Sequence, residues 1–384
     1  MRAGFDPAAL PARPGVVIFE NEDGAAVQVA STGDVRAFVD ARLGAPEEGA
    51  PATSRADLRP VTAMVRGATV GSALEGDLVC LELARERLPE TYRALADRWR
   101  GWFVQLDADA PAPAWRKTDL FELVGTEPGG SLLGPIADKD SAGRLGELLD
   151  DAFELCRFPK ELALAPNGCA CAYKEMGRCP AACDGSEPMD AYRARVRDAI
   201  AFAREGPEAE LVRTEAAMRD AAGRQDFEAA AKLKHRADAI TGARKGSWAH
   251  AGELDGLAVL AVVPAERFGR ARVILLTRLG LAWVADVDAG AAKAAWGDLE
   301  PSVRAACDTA RSEGLRRLDA PWVERVGLMS RHWYKPRAKG RRRRSELFDL
   351  RRWPDAKAVV RAMRAASAAE PGDEEHAERA LGDA

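Results

Sequence analysis

The sequence predicts an α+β protein of several domains, and three observations support this fold class. Apolar residues alternate in short runs near both ends of the chain, apolar residues at helical spacing fill most of the middle, and five of the seven cysteines lie between positions 156 and 183. The predicted parts, in chain order, are a small α/β domain at 14–109, a cysteine-rich helical region at 110–204, an antiparallel helical hairpin at 205–244, a small α+β domain at 254–368 and an acidic tail at 369–384.

Composition narrows the class of protein further. The chain has 384 residues, 47% of them hydrophobic and 30% charged. This is enough for several buried cores and excludes a chain that is disordered as a whole. With 56 basic and 60 acidic side chains the net charge is −4, so any basic surface must be local. No apolar run reaches the length of a membrane span and the first ten residues do not resemble a signal peptide, so we expect a soluble, cytoplasmic protein with no membrane partner.

In the first domain, two apolar runs are separated by an Asp-Gly turn at Asp23-Gly24, which is typical of a β-hairpin. Gly33-Asp34 is typical of a helix N-cap, and a second stretch with helical spacing begins at about Ser72. The pattern predicts strands at 16–19, 26–29 and 61–70 and helices at 34–42 and 72–88. These elements form one small α/β domain.

The second half of the chain is interpreted in the same way. The middle region is predicted to have strands at 102–106 and 120–124, a turn at Gly134-Pro135, helices at 141–155 and 189–204, and a helical hairpin over 207–240. The last domain is predicted to have β structure at 257–263 and 272–287, with helices at 291–296, 301–313, 321–333 and 355–368. Asp286 and Asp288 at the end of a strand could bind a metal, but an acidic turn is the commoner explanation.

The clustered cysteines indicate a metal centre. Cys171, Cys179 and Cys183 follow one another at short spacing, and Cys156 lies fifteen residues upstream. Four thiolates suit either zinc or an iron–sulfur cluster, and the spacing leaves both open. The alternative is that these cysteines are small buried core residues. The four histidines are isolated in the sequence, and none is assigned to a metal.

The same stretch resembles a known family. The helix that ends at Leu155-Cys156, the loop, and the run from Cys171 to Cys183 resemble the cysteine region of UvrC, the incision subunit of bacterial nucleotide excision repair. Leu133-Gly134-Pro135 upstream and residues 192–206 downstream continue the resemblance in the same order. The resemblance implies an iron–sulfur cluster, [4Fe–4S] with zinc as the alternative. Its implied ligands are Cys156, Cys171, Cys179 and Cys183, and Cys169 is an extra thiol.

The predicted hairpin resembles the UVR motif, through which UvrC and UvrB pair. The resemblance implies a UvrB-like partner, bound through Met218, Phe227, Glu228 and Leu233. Lys234-His235 replaces the family's Arg-Asp, so one acidic group of the motif is lost. The alternative is that the hairpin packs against its own domain and binds no partner.

The first domain resembles the GIY-YIG nuclease domain of the same family, but the residues that the family uses for cleavage are replaced. The residues at the family's functional positions are Val17 and Gln28 for the two tyrosines, Ala30 for the glycine, Ser31 for the lysine, Phe38 for the arginine and Cys80 for the metal-binding glutamate. Cleavage of a phosphodiester needs a base, a cationic group and a metal-binding carboxylate. The comparison therefore implies a degenerate nuclease, and no catalytic residue is assigned.

A basic stretch at 331–352 contains ten Lys or Arg residues against Glu346 and Asp349. Aromatic residues flank it, an arrangement that suits single-stranded or distorted DNA. The predicted DNA-binding residues are Trp333, Arg341, Arg342, Arg343 and Arg344. The alternative is a solvated loop, or a stretch that binds the acidic tail of the same chain.

Together these features predict a truncated UvrC-like DNA-repair protein that binds DNA and a UvrB-like partner. Two alternatives remain open at the level of sequence. One is an active metal-dependent endonuclease that makes one incision, and the other is a structural metalloprotein without a role on DNA.

Overall fold

The computed structural model describes residues 9–44, 57–242, 247–314, 317–335 and 345–369. These residues form a mixed α+β structure with three antiparallel sheets, which confirms the predicted class at that level. The chain divides into two compact units. The first contains residues 1–99, 258–310 and 335–384, and the second contains residues 100–257 and 311–334.

The strands are β1 (Gly15–Glu20), β2 (Ala26–Thr32), β3 (Met64–Thr69), β4 (Trp102–Leu106), β5 (Arg116–Asp119), β6 (Ser131–Ile136), β7 (Gly252–Glu253), β8 (Val259–Pro264), β9 (Arg270–Thr277), β10 (Gly280–Asp288) and β11 (Glu346–Asp349). The helices are α1 (Val35–Leu43), α2 (Ala73–Arg87), α3 (Tyr92–Ala96), α4 (Lys139–Phe153), α5 (Pro159–Leu162), α6 (Ala172–Glu175), α7 (Met189–Glu205), α8 (Pro207–Gly223), α9 (Phe227–Gly242), α10 (Ala292–Ser312), α11 (Ala320–Tyr334) and α12 (Ala356–Ser367).

The first sheet has the strand order β2-β1-β3, and the predicted hairpin is formed by the edge strand β2 and the central strand β1. The Asn21 side chain closes the turn by accepting hydrogen bonds from the amides of Asp23 and Ala25. Helix α1 begins after Asp34 and α2 begins after Ser72, and each of these residues caps its helix with its side chain. The two helices cover opposite faces of the sheet, so each face has its own small core.

The second sheet of this unit has the order β10-β9-β8-β11, and α10 and α12 pack on one of its faces. The prediction of separate helices at 291–296 and 301–313 was wrong, because α10 runs continuously with Pro301 inside it. Trp296 on one side of the proline and Val303 and Cys307 on the other are buried in the same core. This packing compensates for the hydrogen bond that a proline removes from a helix.

The second unit contains the sheet β5-β4-β6-β7, with α4 and α7 packed in its core. The predicted strand at 120–124 was wrong: residues 120–123 form a short 3₁₀ helix that Asp119 caps by accepting from the Phe121 amide. The predicted turn at Gly134-Pro135 was also wrong, because both residues lie within β6. Gly134 lies directly against the Phe103 ring, so a residue without a side chain is needed there by packing rather than by a turn.

The helices α8 and α9 form the predicted hairpin, and its base belongs to the core of the second unit. Ile240 is fully buried in that core. The Arg236 guanidinium lies 4.5 Å from the Phe153 ring of α4 and 2.7 Å from the Glu210 carboxylate of α8. The end of the hairpin near residue 225 is exposed. No helix in the described part of the chain is both long enough and apolar enough to cross a membrane.

Candidate metal centre and partner surfaces

All five clustered cysteines line one cavity of the second unit. The other lining residues are Arg157, Phe158, Glu161, Tyr173 and Ala181. Cys156, Cys179 and Cys183 are buried, Cys171 is half-buried, and Cys169 is exposed. The fold therefore brings together the four cysteines predicted as ligands and adds the fifth.

Cys156 follows α4 and is held by α7. Its backbone amide donates to the hydroxyl of Tyr192 at 3.2 Å, and that hydroxyl donates to the carbonyl of Pro113 at 2.9 Å. Tyr192 is fully buried and packs in the core of the unit. Helix α7, which follows the cysteine loop, therefore fixes the position of Cys156, which precedes it.

The loop between these helices is closed by short backbone contacts. The Gly168 amide donates to the Cys183 carbonyl at 2.9 Å, and a side chain at Gly168 would meet that carbonyl. The Cys183 thiol donates to the Cys169 carbonyl at 3.6 Å. Lys174 forms an ion pair with Asp184 at 2.6 Å across the loop. These contacts keep both ends of the loop at the cavity.

The buried thiols have unequal acidity. The side-chain interaction between Cys156 and Cys179 raises the pKa of Cys156 and lowers the pKa of Cys179 to about 6. The Ala181 amide and the charge of Arg195 also favour the Cys179 thiolate. Burial raises the pKa of Cys183. Deprotonation is thus favoured at Cys179 and disfavoured at Cys156 and Cys183, as expected for thiols that share a confined space.

The chemistry of this donor set fits a soft metal or a cluster, because thiolates bind zinc and iron–sulfur centres. Within the described ranges, however, no group of three or more His, Cys, Asp or Glu side chains has the geometry to hold a metal ion. The thiols share a cavity without converging on one point. The ligand set therefore stays a prediction.

The partner-binding residues predicted on the hairpin differ in exposure. Phe227 is the first residue of α9, and 70% of its surface is exposed. Glu228 is exposed as well, whereas Met218 and Leu233 are half-buried. Asp226 positions this end of the hairpin by accepting a hydrogen bond from the Ala229 amide at 3.0 Å. A large apolar ring therefore projects into solvent from the end of a hairpin whose base is buried.

The nuclease-like positions of the first unit are occupied mainly by packing residues. Phe38 packs against Phe19, with 6.2 Å between ring centroids, in the core beside α1. Cys80 is buried in the core beside α2, where burial raises its pKa to about 12. Ser31 donates a hydrogen bond to Asp77. The positions predicted for an arginine and a metal ligand thus lie in different cores, on opposite faces of the sheet.

Asp286 and Asp288, the acidic residues at the end of β10, are ion-paired within the same unit. Arg272 lies 2.7 Å from Asp286, and Arg270 lies 2.9 Å from Asp288. These pairs connect neighbouring positions of β9 and β10.

Of the predicted DNA-binding residues, Arg341, Arg342, Arg343 and Arg344 lie outside the described residues, as does the acidic tail from residue 370. Trp333 is only 4% exposed and stacks on the His250 ring at 4.8 Å between centroids. The Tyr334 hydroxyl accepts from the His250 amide and donates to the carbonyl of Pro135. A base that stacked on this face of Trp333 would have to displace His250. No pattern in the sequence indicated this cluster, because its members are distant along the chain.

Comparisons with known proteins locate the family resemblance. Residues 107–202 match the family model of the UvrC/Cho excinuclease middle domain; the match begins directly after β4, ends within α7 and includes all five clustered cysteines. No solved structure matches the chain.

Curated relatives agree with the family model. The UvrABC system protein C of Anaeromyxobacter dehalogenans is 28% identical over 239 residues, which is 60% of this chain and 32% of the relative. The proteins of the same name from Thermus thermophilus and Deinococcus radiodurans are each 32% identical, over 117 and 112 residues. They cover 30% and 29% of this chain and 19% and 18% of the relatives. The chain therefore spans about a third or less of the length of these relatives. Residues 107–202 therefore match a UvrC/Cho-type middle domain, and through this region the chain is similar to the UvrC family.

Proposed function

We propose that this chain acts in nucleotide excision repair as a protein that binds a UvrB-like partner and DNA without cutting DNA itself. The observation that carries the proposal is the exposed Phe227 ring on a hairpin that directly follows the UvrC-type middle domain. The domain supports the connection to repair, and the ring supports a binding role for the hairpin.

The structure supports a hairpin that is ready to bind. Its base is fixed by the buried Ile240 and by the contacts of Arg236, so the hairpin keeps its position without a partner. Phe227 contributes little to this packing, because most of its ring is in solvent. Burying such a ring in a partner interface contributes roughly 2–3 kcal/mol, which makes it the strongest candidate for a binding hot spot on this surface.

Binding of purified UvrB to the immobilised chain tests this proposal. Phe227→Ala should weaken binding by about ten- to a hundred-fold, while the thermal midpoint stays close to that of the wild type. Val212→Ala is the matched control, because Val212 lies on α8 and is 65% exposed. This control should bind UvrB as the wild type does.

Two outcomes would contradict the proposal. Equal binding of wild type and Phe227→Ala would show that the ring is not at the interface. A large fall in the thermal midpoint of Phe227→Ala would show that the ring packs within its own chain.

The cysteine cavity is proposed to hold an iron–sulfur cluster, with zinc as the alternative. Cys156, Cys171, Cys179 and Cys183 would be its ligands, and the centre would brace the loop between α4 and α7. Thiolate–metal bonds contribute to folding, because the unfolded chain has no preformed site. The support is the cavity that all four of these thiols line.

The absence of cutting is proposed from the packing of the first unit. Phe38 and Cys80 lie in two separate cores, so neither position presents a polar group to a phosphate. Hydrolysis of a phosphodiester needs electrostatic stabilisation of the developing charge, which a phenyl ring and a buried thiol do not supply. This domain would then serve as a scaffold.

A further inference from the structure

The five thiols of the cysteine cavity fall into two groups by depth. Cys156, Cys179 and Cys183 form a buried base, with exposures of 6%, 7% and 3%. Cys169 and Cys171 lie at the rim, one exposed and the other half-buried. A single residue separates the two rim cysteines. A centre with four thiolates that uses the whole base needs only one thiolate from the rim, and the rim offers two.

The backbone of Cys169 is held beside the base of the cavity. Its carbonyl accepts the hydrogen bond from the Cys183 thiol at 3.6 Å, and its amide donates to the Glu161 carboxylate at 3.1 Å. Glu161 lines the same cavity. Cys171 lies two residues further on, immediately before the four-residue helix α6. Both rim thiols therefore lie on a short segment that is anchored on one side to a predicted ligand.

We propose that Cys169 is an alternative fourth ligand, able to take the place of Cys171 in the metal centre. The inference rests on the proposed metal centre and concerns which thiols of this chain complete it. An exposed side chain on a loop segment can change its rotamer at little cost, whereas the three buried thiols are fixed by their packing. Replacement of Cys171 by Cys169 as a ligand therefore leaves the other three ligands in place. Soft metals bind either cysteine through the same thiolate chemistry.

Metal content of single and double variants tests the exchange. The full-length chain is purified without oxygen, and iron and zinc per chain are measured together with the visible absorbance. Cys169→Ser and Cys171→Ser should each retain most of the wild-type metal, whereas the double variant should lose it. Cys179→Ser should also lose the metal, because it removes part of the buried base. Cys307→Ser is the matched control, since Cys307 is a buried thiol of the first unit and should not affect the metal.

Alkylation of the native protein gives a second measurement that does not depend on metal content. Iodoacetamide followed by peptide mass spectrometry should modify Cys169 in the wild type, because that thiol is exposed and not needed. In Cys171→Ser the same thiol should become protected, because it is then bound to the metal. Removal of the metal with a chelator should restore its reaction.

The outcomes separate this inference from the proposal on which it rests. If the wild type carries neither iron nor zinc, the metal centre itself is wrong. If the wild type is loaded but Cys171→Ser loses metal as completely as Cys179→Ser, the centre stands and the exchange is overturned. Loss of metal in Cys169→Ser alone would also overturn it, because Cys169 would then be a required ligand.

Discussion

At the scale of single residues, Asp150 links protonation to folding. This carboxylate is 2% exposed, and burial raises its pKa from 3.8 to about 7, although it accepts a hydrogen bond from the Trp115 indole at 2.8 Å. A raised pKa in the folded state means that folding takes up a proton. The contribution of Asp150 to the free energy of unfolding is therefore complete below pH 3.8, the ordinary pKa, and is lost as the pH rises to about 7.

We expect the free energy of unfolding to fall by up to roughly 4 kcal/mol between these two pH values because of Asp150. Asp150→Asn keeps an acceptor for the indole and cannot ionise, so its unfolding free energy should depend less on pH. Urea titrations at several pH values measure this difference. Asp190→Asn is the control, since its side chain is 97% exposed, and it should follow the wild type. Parallel curves for wild type and Asp150→Asn would show that Asp150 does not titrate in this range.

At the scale of elements, Arg236 joins three helices at the base of the hairpin. It lies on α9, its guanidinium stacks on Phe153 of α4, and it pairs with the buried Glu210 of α8. Arg236→Ala leaves Glu210 with Arg213 as a remaining cationic partner and removes the stacking on Phe153. We expect a loss of about 1–3 kcal/mol in the unfolding free energy.

Hydrogen exchange locates the effect of this substitution. Amides of α8 and α9 should exchange faster in Arg236→Ala, while amides of β8 and β9 in the other unit should not change. Arg224→Ala is the control, because Arg224 lies exposed at the end of the hairpin. Unchanged exchange in the hairpin of Arg236→Ala would show that its base is held by apolar packing alone.

At the scale of the whole molecule, the proposal that the first unit lacks nuclease chemistry predicts that the purified chain does not nick DNA. Supercoiled plasmid incubated with the chain and magnesium or manganese should stay supercoiled, with and without UvrB. Any nicking that persists through purification and disappears in Phe38→Ala would contradict the proposal, because it would place a working site in the first unit. Nicking that this substitution leaves unchanged would place a site elsewhere in the chain and would contradict it equally.

The basic stretch is expected to bind DNA through phosphates. Replacing Arg341, Arg342, Arg343 and Arg344 together by Ala should weaken binding to all sequences alike, since phosphate contacts release counterions and do not distinguish bases. The slope of log K against log salt should flatten by roughly 0.7–0.9 for each arginine that pairs with a phosphate in the wild type. Fluorescence anisotropy at several salt concentrations measures both the affinity for DNA and this slope. An unchanged slope would remove this stretch from the DNA interface.

Local chemistry made much of the fold predictable. The β1-β2 hairpin follows from alternating residues and the turn at Asp23-Gly24, and α1 begins after the side-chain cap at Asp34. The cysteine spacing also indicated that these residues lie near one another, because a short loop brings its own ends together, and all five line one cavity. These features depend on residues close in sequence, and the sequence by itself determined them.

Contacts between distant residues decided the rest. The Gly134-Pro135 pair is typical of a turn, but it lies in a strand in which Gly134 packs against the Phe103 ring. Helix α10 continues through Pro301 because residues on both sides of the proline are buried in one core. His250 reached Trp333, 83 positions later in the chain, and covered a face of the ring that the sequence suggested was free for DNA. The depth of Cys169 relative to the other thiols likewise depends on how the loop closes against α4 and α7. Burial is a property of the packed chain, so only the tertiary structure could decide which of these side chains meet solvent and which meet one another.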